Sequence, residues 1–501
     1  MQSTNDANGN AGNAPDPGVD YSRRWYVIIA VGMGVFLATI DASIVNVALP
    51  SLVRSFNTKF AVVQWVALSY MLTMATLILS MGRLGDISGK KRVYTTGMVV
   101  FTVGSALCGL SQTIYWLILF RVLQAIGASM MAALGTAIVT EAFPAQKRGK
   151  ALGTIGGIVS IGIITGPVLG GILIDAISWH WIFFVNIPIG IVGIFMVLRF
   201  VPSTEALRGQ KFDLAGAALL LVSVVCFLLA LTVGQNLGFR NHLILTLFAA
   251  WLASFVLFLY VELAVDHPMV DLRIFQNAVL SLGLFTGFLA FVATAGVVLL
   301  MPFYLENVLG HSPHQVGLLL AVVPLAAGLF SPIAGTLSDR FGTRSITTLG
   351  LAVLIIGYLS LTTLSEDTSS LGYILRFFPV GMGTGIFQSP NNSAIMGAAT
   401  RRHLGVVSGL LSITRTLGQT SGIAAIGAFW AARVSFYAGT DFKAGPTRTN
   451  IEAQVHGLHD ALSGVVILIG LGLLLNLWAL MLEWIQRNRR TNREGTGLID
   501  D

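Results

Sequence analysis

Asp41 is the residue best placed to do chemistry. It sits in the apolar run Leu37-Ala38-Thr39-Ile40-Asp41-Ala42-Ser43-Ile44-Val45-Asn46-Val47-Ala48-Leu49-Pro50, and of 23 acidic residues it alone lies deep within such a run. Glu141, Asp175, Glu262, Glu306 and Glu483 fall at the ends of apolar runs, where water or headgroups are expected close by, and the others fall in polar stretches. A lone carboxylate is costly in lipid, so a carboxyl at this depth is expected to work as a carrier that takes up and gives off a proton. Arg121 lies some five residues into another run, and Asp41 lies nine residues before Pro50. At ~1.5 Å per residue the two reach similar depth. A guanidinium there favours the ionised acid, so the pair can set when the proton leaves. A polar contact between helices, with a purely structural arginine, is the competing reading. Gln388, Ser389, Asn391 and Asn392 in one later run, and Arg415 and Gln419 in the next, offer uncharged and cationic hydrogen-bonding groups. They fit the wall of a substrate cavity and equally fit bonds between helices. None of the eight histidines pairs with a carboxylate in the manner of a catalytic site, and no GxxxxGK[ST] phosphate loop occurs, so neither an enzyme nor an ATP-driven machine is expected. Cys108 and Cys226 both fall in apolar runs and suggest neither a disulfide framework nor a metal site; no cofactor is expected.

The elements that position these groups follow from hydropathy. The chain is 54% hydrophobic and only 11% charged, with 55 glycines and mean hydropathy +0.78, a composition suited to lipid. Apolar runs long enough to cross a bilayer as helices recur at 24–49, 60–80, 93–111, 115–138, 151–174, 181–201, 212–234, 242–263, 278–302, 315–336, 345–364, 371–398, 404–431 and 461–485. That makes fourteen expected spans and an all-α membrane protein. An even number puts both termini on one side. Of 30 basic residues, 21 fall on that side, six on the other and three inside runs, so the positive-inside rule predicts cytoplasmic termini. This distribution also accounts for the net charge of +7 without nucleic acid, which has no basic patch left to bind. Residues 1–22 have the composition of a polar disordered tail rather than a signal peptide.

The sequence repeats itself. Gly82-Arg83-Leu84-Gly85-Asp86-Ile87-Ser88-Gly89-Lys90 follows the second run and Gly335-Thr336-Leu337-Ser338-Asp339-Arg340-Phe341-Gly342-Thr343 follows the tenth, with the two aspartates 253 residues apart. Arg121 and Arg376, near the starts of the fourth and twelfth runs, are 255 apart. The offset leaves room for two extra helices between six-helix halves. The expected organisation is a tail at 1–22, a bundle at 23–203, an inserted helix pair at 204–276, a second bundle at 277–486 and a tail at 487–501. An offset of 254, between the two, carries Asp41 onto Ala295, so proton chemistry is expected in the first half alone.

On these residues the chain resembles the fourteen-span drug:proton antiporters of the major facilitator superfamily, the EmrB/QacA type. The run around Asp41 is similar to that family's first-helix motif. The loop at 82–92 (Gly82, Asp86, Gly89, Lys90 and Lys91) resembles the superfamily signature between helices two and three, although Ile87 stands where arginine is usual. Arg121-Val122-Leu123-Gln124-Ala125-Ile126-Gly127 resembles the fourth-helix motif, with Ala125 in place of a glycine. Gly153, Gly162, Gly166, Pro167, Gly170 and Gly171 match the antiporter motif of the fifth helix at every spacing. The resemblance implies two six-helix bundles with two inserted helices, proton coupling through Arg121, gating by the fifth-helix glycines, and a cytoplasmic latch at 82–92. It implies a monomer in the cell membrane that exchanges protons for small hydrophobic substrates, neutral or monovalent cationic, by alternating access. A dedicated exporter or symporter of one metabolite or lipid is the other reading. Trp179-His180-Trp181-Ile182-Phe183-Phe184-Val185-Asn186 resembles a family segment between helices five and six and is expected to mark the outer interface.

Overall fold

The computed structural model describes residues 24–143, 148–202, 214–238, 240–264, 272–398, 404–439, 447 and 449–496; the side chains of some helical positions, Asp86, Gly153 and Asp339 among them, lie outside that description. The described residues form α1 (Arg24–Ser55), α2 (Phe60–Ser88), α3 (Lys90–Gly109), α4 (Ile114–Glu141), α5 (Arg148–Ala176), α6 (Trp181–Phe184), α7 (Asn186–Phe200), α8 (Leu214–Leu237) and α9 (His242–Ala264). They continue with α10 (Ala278–Phe303), α11 (Pro313–Leu320), α12 (Val322–Phe341), α13 (Thr343–Leu361), α14 (Ser370–Gly397), α15 (Leu404–Ala438) and α16 (Ile451–Thr496). Local chemistry sets many of the starts. The Thr113 hydroxyl accepts from the Trp116 amide to cap α4, Asn277 caps α10, and Ser312 with Gln315 forms a capping box ahead of Pro313 at the start of α11.

Ten of these helical stretches are long and apolar enough to cross a membrane. The expected runs at 93–111, 212–234, 371–398 and 404–431 are also helical, but they do not count among the ten. α3 begins with Lys90-Lys91-Arg92, the clearly described apolar part of α8 is short, and α14 and α15 carry Arg376 and Arg415 with their neighbouring amides. The runs at 181–201 and 315–336 each count once among the ten, with a break in the helix at Val185 and at Ala321. Two expectations need correction. The stretch at 82–92 is not a loop, because α2 continues to Ser88 and α3 starts at Lys90, leaving Gly89 alone between them. α16 also runs on to Thr496, where a tail is expected from 487.

The sequence repeat is built into the backbone. Gly89 and Gly342, 253 residues apart, take left-handed angles of φ 91° and 86° and turn α2 into α3 and α12 into α13. Gly97 and Gly350, at the same offset, each bring a helix against the backbone of the next, as do Gly104 and Gly357. A Cβ at Gly104 would stand 2.7 Å from Gln124 Cα, and one at Gly357 2.8 Å from Val380 N. In each half, a glycine face on the third long helix therefore lets it touch the fourth.

α1 packs on α4, α5 and α7, α3 on α4 and α7, and α2 on α4. α10 packs on α14, α15 and α16, α13 on α14 and α16, and α12 on α14. The pair α8 and α9 pack on each other, and α8 lies against both α2 and α15, on the seam between the two groups. The groups meet at one end, the distal end, where α1 joins α2 and α10 joins α11. There Phe60 stacks edge-on with Phe303 and Trp430 at 4.9 Å, and the Gln64 amide lies against Gly427. Side chains at Gly171 or Gly317 would overlap the backbone carbonyls of Pro313 and Pro167, so α5 and α11 touch main chain to main chain. Towards the other end, the proximal end, a Cβ at Gly156, Gly157 or Gly328 would meet nothing within 4 Å. The seam is sealed distally.

Candidate functional site

Asp41 and Arg121 meet inside the first bundle, with side chains 0% and 1% exposed. Arg121 Nη1 donates to Asp41 Oδ2 at 2.5 Å and to Gln124 Oε1 at 2.7 Å, and Arg121 Nε donates to the Val66 carbonyl at 3.0 Å. The other carboxylate oxygen, Asp41 Oδ1, accepts from Gln124 Nε2 at 2.8 Å and from Asn186 Nδ2 at 3.1 Å. The two amides share a second acceptor in the Ser105 hydroxyl, at 2.6 and 3.0 Å. Tyr70 lies with its ring 4.1 Å from the guanidinium carbon, and Phe183 lies at 5.8 Å. A buried ion pair recovers its desolvation cost only when the remaining donors and acceptors are met. Both oxygens of Asp41 are met here. Six helices, α1, α2, α3, α4, α6 and α7, contribute to the surroundings of this one charge pair.

Two buried atoms beside the pair have no partner among the described residues: Asn186 Oδ1 and the Tyr70 hydroxyl. A buried polar atom without a partner costs about 1–3 kcal/mol, so its persistence calls for a use. A half-turn of the Asn186 amide would present Oδ1 to Asp41 Oδ1, the acceptor a protonated Asp41 needs.

The sequence marks Asp41 and Arg121, and quotes Gln124 and Asn186 only as parts of motifs. Gln124 is three residues beyond Arg121 and shares its helix face, a signal that was available. Ser105 and Tyr70 carry no such signal, since their place depends on how α2 and α3 pack.

The antiporter-motif glycines divide between two jobs. Side chains at Gly162, Gly166 and Gly170 would strike Thr39, Ser43 and Ile44, so these three press α5 onto α1 on either side of Asp41. Ser43 also donates to the Gly162 carbonyl at 3.3 Å. Gly171 and the Pro167 carbonyl face α11 across the seam. Gly317, their counterpart on α11, was not singled out in the sequence. Gly153 lies on α5 in a stretch whose side chains are not described.

At the proximal end, Lys90 pairs with Glu141 at the end of α4, and Lys91 Nζ donates to the Leu198 carbonyl near the end of α7 at 2.9 Å. Gly82 packs near Ala133 of α4. These contacts tie helices of the first bundle together; the Asp86 side chain is outside the description.

The second half shows no counterpart to the charge pair among the described residues. Arg376 bonds to Thr363 and to the Gly372 carbonyl, near the distal surface. Of the candidate cavity residues, Asn391 is buried and donates to the Gly283 carbonyl of α10 at 3.1 Å, a bond between helices. Gln388 and Gln419 are half-buried, whereas Asn392 and Arg415 are exposed. No hydrogen bond joins any two of the five among the described residues. The sequence also expects Glu262 and Glu306 near water, and the structure buries both, Glu306 at 9% exposed and Glu262 at 4%. Glu306 sits in a π turn, Tyr304–Val308, that ends α10, and accepts from Arg54 Nη2 of α1 at 2.5 Å across the seam.

A helical bundle in two packed groups, with a buried acid in one and a seam sealed at one end, is the build of a membrane transporter. Residues 31–423 and 283–497 match the model of the Major Facilitator Superfamily, and the chain belongs to that superfamily. It is 35% identical over 415 residues to the riboflavin transporter RibZ of Clostridioides difficile, covering 83% of this chain and 90% of that one. It is 36% identical over 411 residues to the multidrug resistance protein Stp of Mycobacterium tuberculosis, covering 81% and 76%. The fold is shared with a bacterial homolog of the human lysosomal transporter Spinster in an inward-facing, unoccupied conformation. That match has a TM-score of 0.66 at 19% identity and covers 92% of this chain and 97% of that one.

Proposed function

We propose that this transporter is a proton-coupled exporter of small hydrophobic compounds, neutral or monovalent cationic, working by alternating access. The observation that carries the reading is the buried Asp41–Arg121 pair, an acid that can neither stay ionised without its guanidinium nor be neutralised without moving it. Protonation of Asp41 frees Arg121 from its strongest bond and loosens the contact of α1 with α4. Deprotonation restores both. The glycines of α5 tie α1 to the distal seal, so a change at Asp41 has a mechanical route to the gate. A monovalent cationic substrate would compete with Arg121 for the one carboxylate, and a rigid dication would find half its charge unmatched.

The reading includes fourteen spans, a monomer in the cell (inner or plasma) membrane, and both termini in the cytoplasm. The proximal end is then cytoplasmic and the distal end external, and the state described is inward-facing. Support comes from the bias of lysine and arginine in the connections, from relatives named as multidrug resistance proteins, and from the inward-facing relative of shared fold. A dedicated metabolite transporter is the second reading, favoured by the relative named as a riboflavin transporter.

The deciding measurement is dye efflux from proteoliposomes under an imposed pH gradient, with riboflavin and rigid dications as competitors. The native chain is expected to export dye in proportion to the gradient and Asp41→Asn to lose that dependence, at least about tenfold in rate. Gradient-driven export by Asp41→Asn at the native rate would overturn the reading. Riboflavin as the sole transported compound would establish the second.

A further inference from the structure

The proton site of the proposed cycle lies in the first bundle, yet a second acid is built into the seam itself. Glu306 bridges to Arg54 across the two bundles at 2.5 Å, and the partners are unequal, with side chains 2% and 55% exposed. Arg54 also donates to Ser51 of its own helix at 3.0 Å. Only one carboxylate oxygen is used. Glu306 Oε1 is buried with no hydrogen-bond partner among the described residues. The π turn that carries Glu306 is an uncommon device, and such turns occur often at functional positions. The bridge stands where the bundles are sealed, alongside the Phe60–Phe303–Trp430 cluster and the contact of α5 with α11.

We infer that Glu306 is a second proton-binding site, a latch on the distal gate whose protonation from the distal side releases Arg54 and lets that gate open. The inference rests on the proton-coupled reading above. In the closed state Glu306 is ionised and bonded. A proton arriving on the carboxylate converts it to a neutral acid, the ion pair is lost, and Arg54, already half in water, is solvated outside. The orphaned oxygen makes the ionised form incompletely satisfied, so the latch is held by one bond and is easily broken. Acid on the distal side therefore opens the gate through which Asp41 is to be loaded. When the gate closes, the latch proton returns to the side it came from.

Several other ionisable groups around this end are engaged elsewhere. On α16, His459 bonds to the Leu364 carbonyl, Asp460 pairs with Arg433, and His456 lies near Glu452. Before α11, His311 meets Gln315 and Ser370; His314, on α11, backs onto Gly171 through its Cα. His180 is stacked on Trp179 at 3.7 Å, and burial holds its imidazole below the usual histidine range. Arg54 is the one charged side chain bonded to Glu306 among the described residues.

The test places spin labels on cysteines at Lys59 and Glu366, exposed in the α1–α2 and α13–α14 connections, with Cys108 and Cys226 changed to Ser, in the full chain in nanodiscs. Double electron–electron resonance then reports the distal separation of the bundles between pH 5 and pH 8. The native chain is expected to shift towards the open distance on acidification. Glu306→Gln and Arg54→Gln are each expected to raise the open-to-closed ratio about tenfold at pH 8, the scale of a partly desolvated interfacial pair, and to abolish the acid response. Arg54 is exposed, so its variant guards against misfolding at Glu306. Asp41→Asn is expected to keep the acid response, which separates the latch from the coupling site. An acid response in Glu306→Gln equal to the native one, or none in the native chain, would overturn the latch and leave the proton-coupled reading to its own test.

Discussion

A single guanidinium holds three acceptors around Asp41, and the identity of that cation matters more than its charge. Lysine at position 121 would keep the positive charge but could not reach Asp41, Gln124 and the Val66 carbonyl from one planar fork. Arg121→Lys is therefore expected to cut gradient-driven efflux by at least about tenfold while the protein still reaches the membrane, as measured by dye efflux normalised to purified protein. Asn186→Leu makes a different point. It removes one donor to the ionised acid and the acceptor kept for the protonated one, so the pH profile of efflux should flatten, whereas a merely structural asparagine would change only the amount of folded protein. The sequence exposes Asp41 and Arg121 because charge in an apolar run is conspicuous. It says little of Ser105 or Tyr70, which become part of the site only when helices 19 to 81 residues away in sequence close around it.

Helices were legible from their apolar runs, and the fifth-helix glycines from their spacing, but the surfaces those glycines meet were not. Gly162, Gly166 and Gly170 face α1 within a bundle, and Gly171 faces α11 across the seam. A hydropathy pattern cannot distinguish these, because both neighbours are apolar. The breaks at Val185 and Ala321 were legible, since Pro188 and Pro324, three residues beyond each, cannot donate to the carbonyls of Phe184 and Leu320 and so start a new helix rather than continue the old one. The stretch at 82–92 reads as a loop by its polarity and is helix by its bonding, with one left-handed glycine taking the whole turn. Gly317 provides the element-scale test. A methyl group there would press on the Pro167 carbonyl, which belongs to backbone and cannot swing aside. Gly317→Ala is expected to hold the distal seam apart and raise alkylation of a cysteine placed at Ser312 several-fold over the native background; an unchanged rate would show that the helices accommodate the methyl.

Two halves with one backbone plan and unequal chemistry make the whole molecule asymmetric in charge as well as in shape. The glycine turns at Gly89 and Gly342 repeat, while the offset of 253 pairs Asp41 with Thr294 rather than an acid, and Arg376 bonds to a threonine and a carbonyl near the surface. The repeat and this asymmetry were readable in the sequence, because they depend on residue identity at a fixed interval; the buried latch at Glu306 was not, because a run end looks the same whether it meets water or a partner bundle. If Asp41 alone carries a proton through, and the latch proton returns to the distal side, each cycle moves one proton inward. Export of a neutral compound then carries one net positive charge into the cell, and export of a monovalent cation carries none. One charge crossing 100 mV is worth about 2.3 kcal/mol, roughly a fiftyfold change in the attainable substrate ratio. With pH equal on both sides of oriented proteoliposomes, a potassium diffusion potential, negative on the cytoplasmic side, should drive a neutral dye outward and leave a monovalent cation unmoved. Potential-driven export of the cation would mean that a second proton crosses with each cycle, and Glu306→Gln would show whether the latch supplies it.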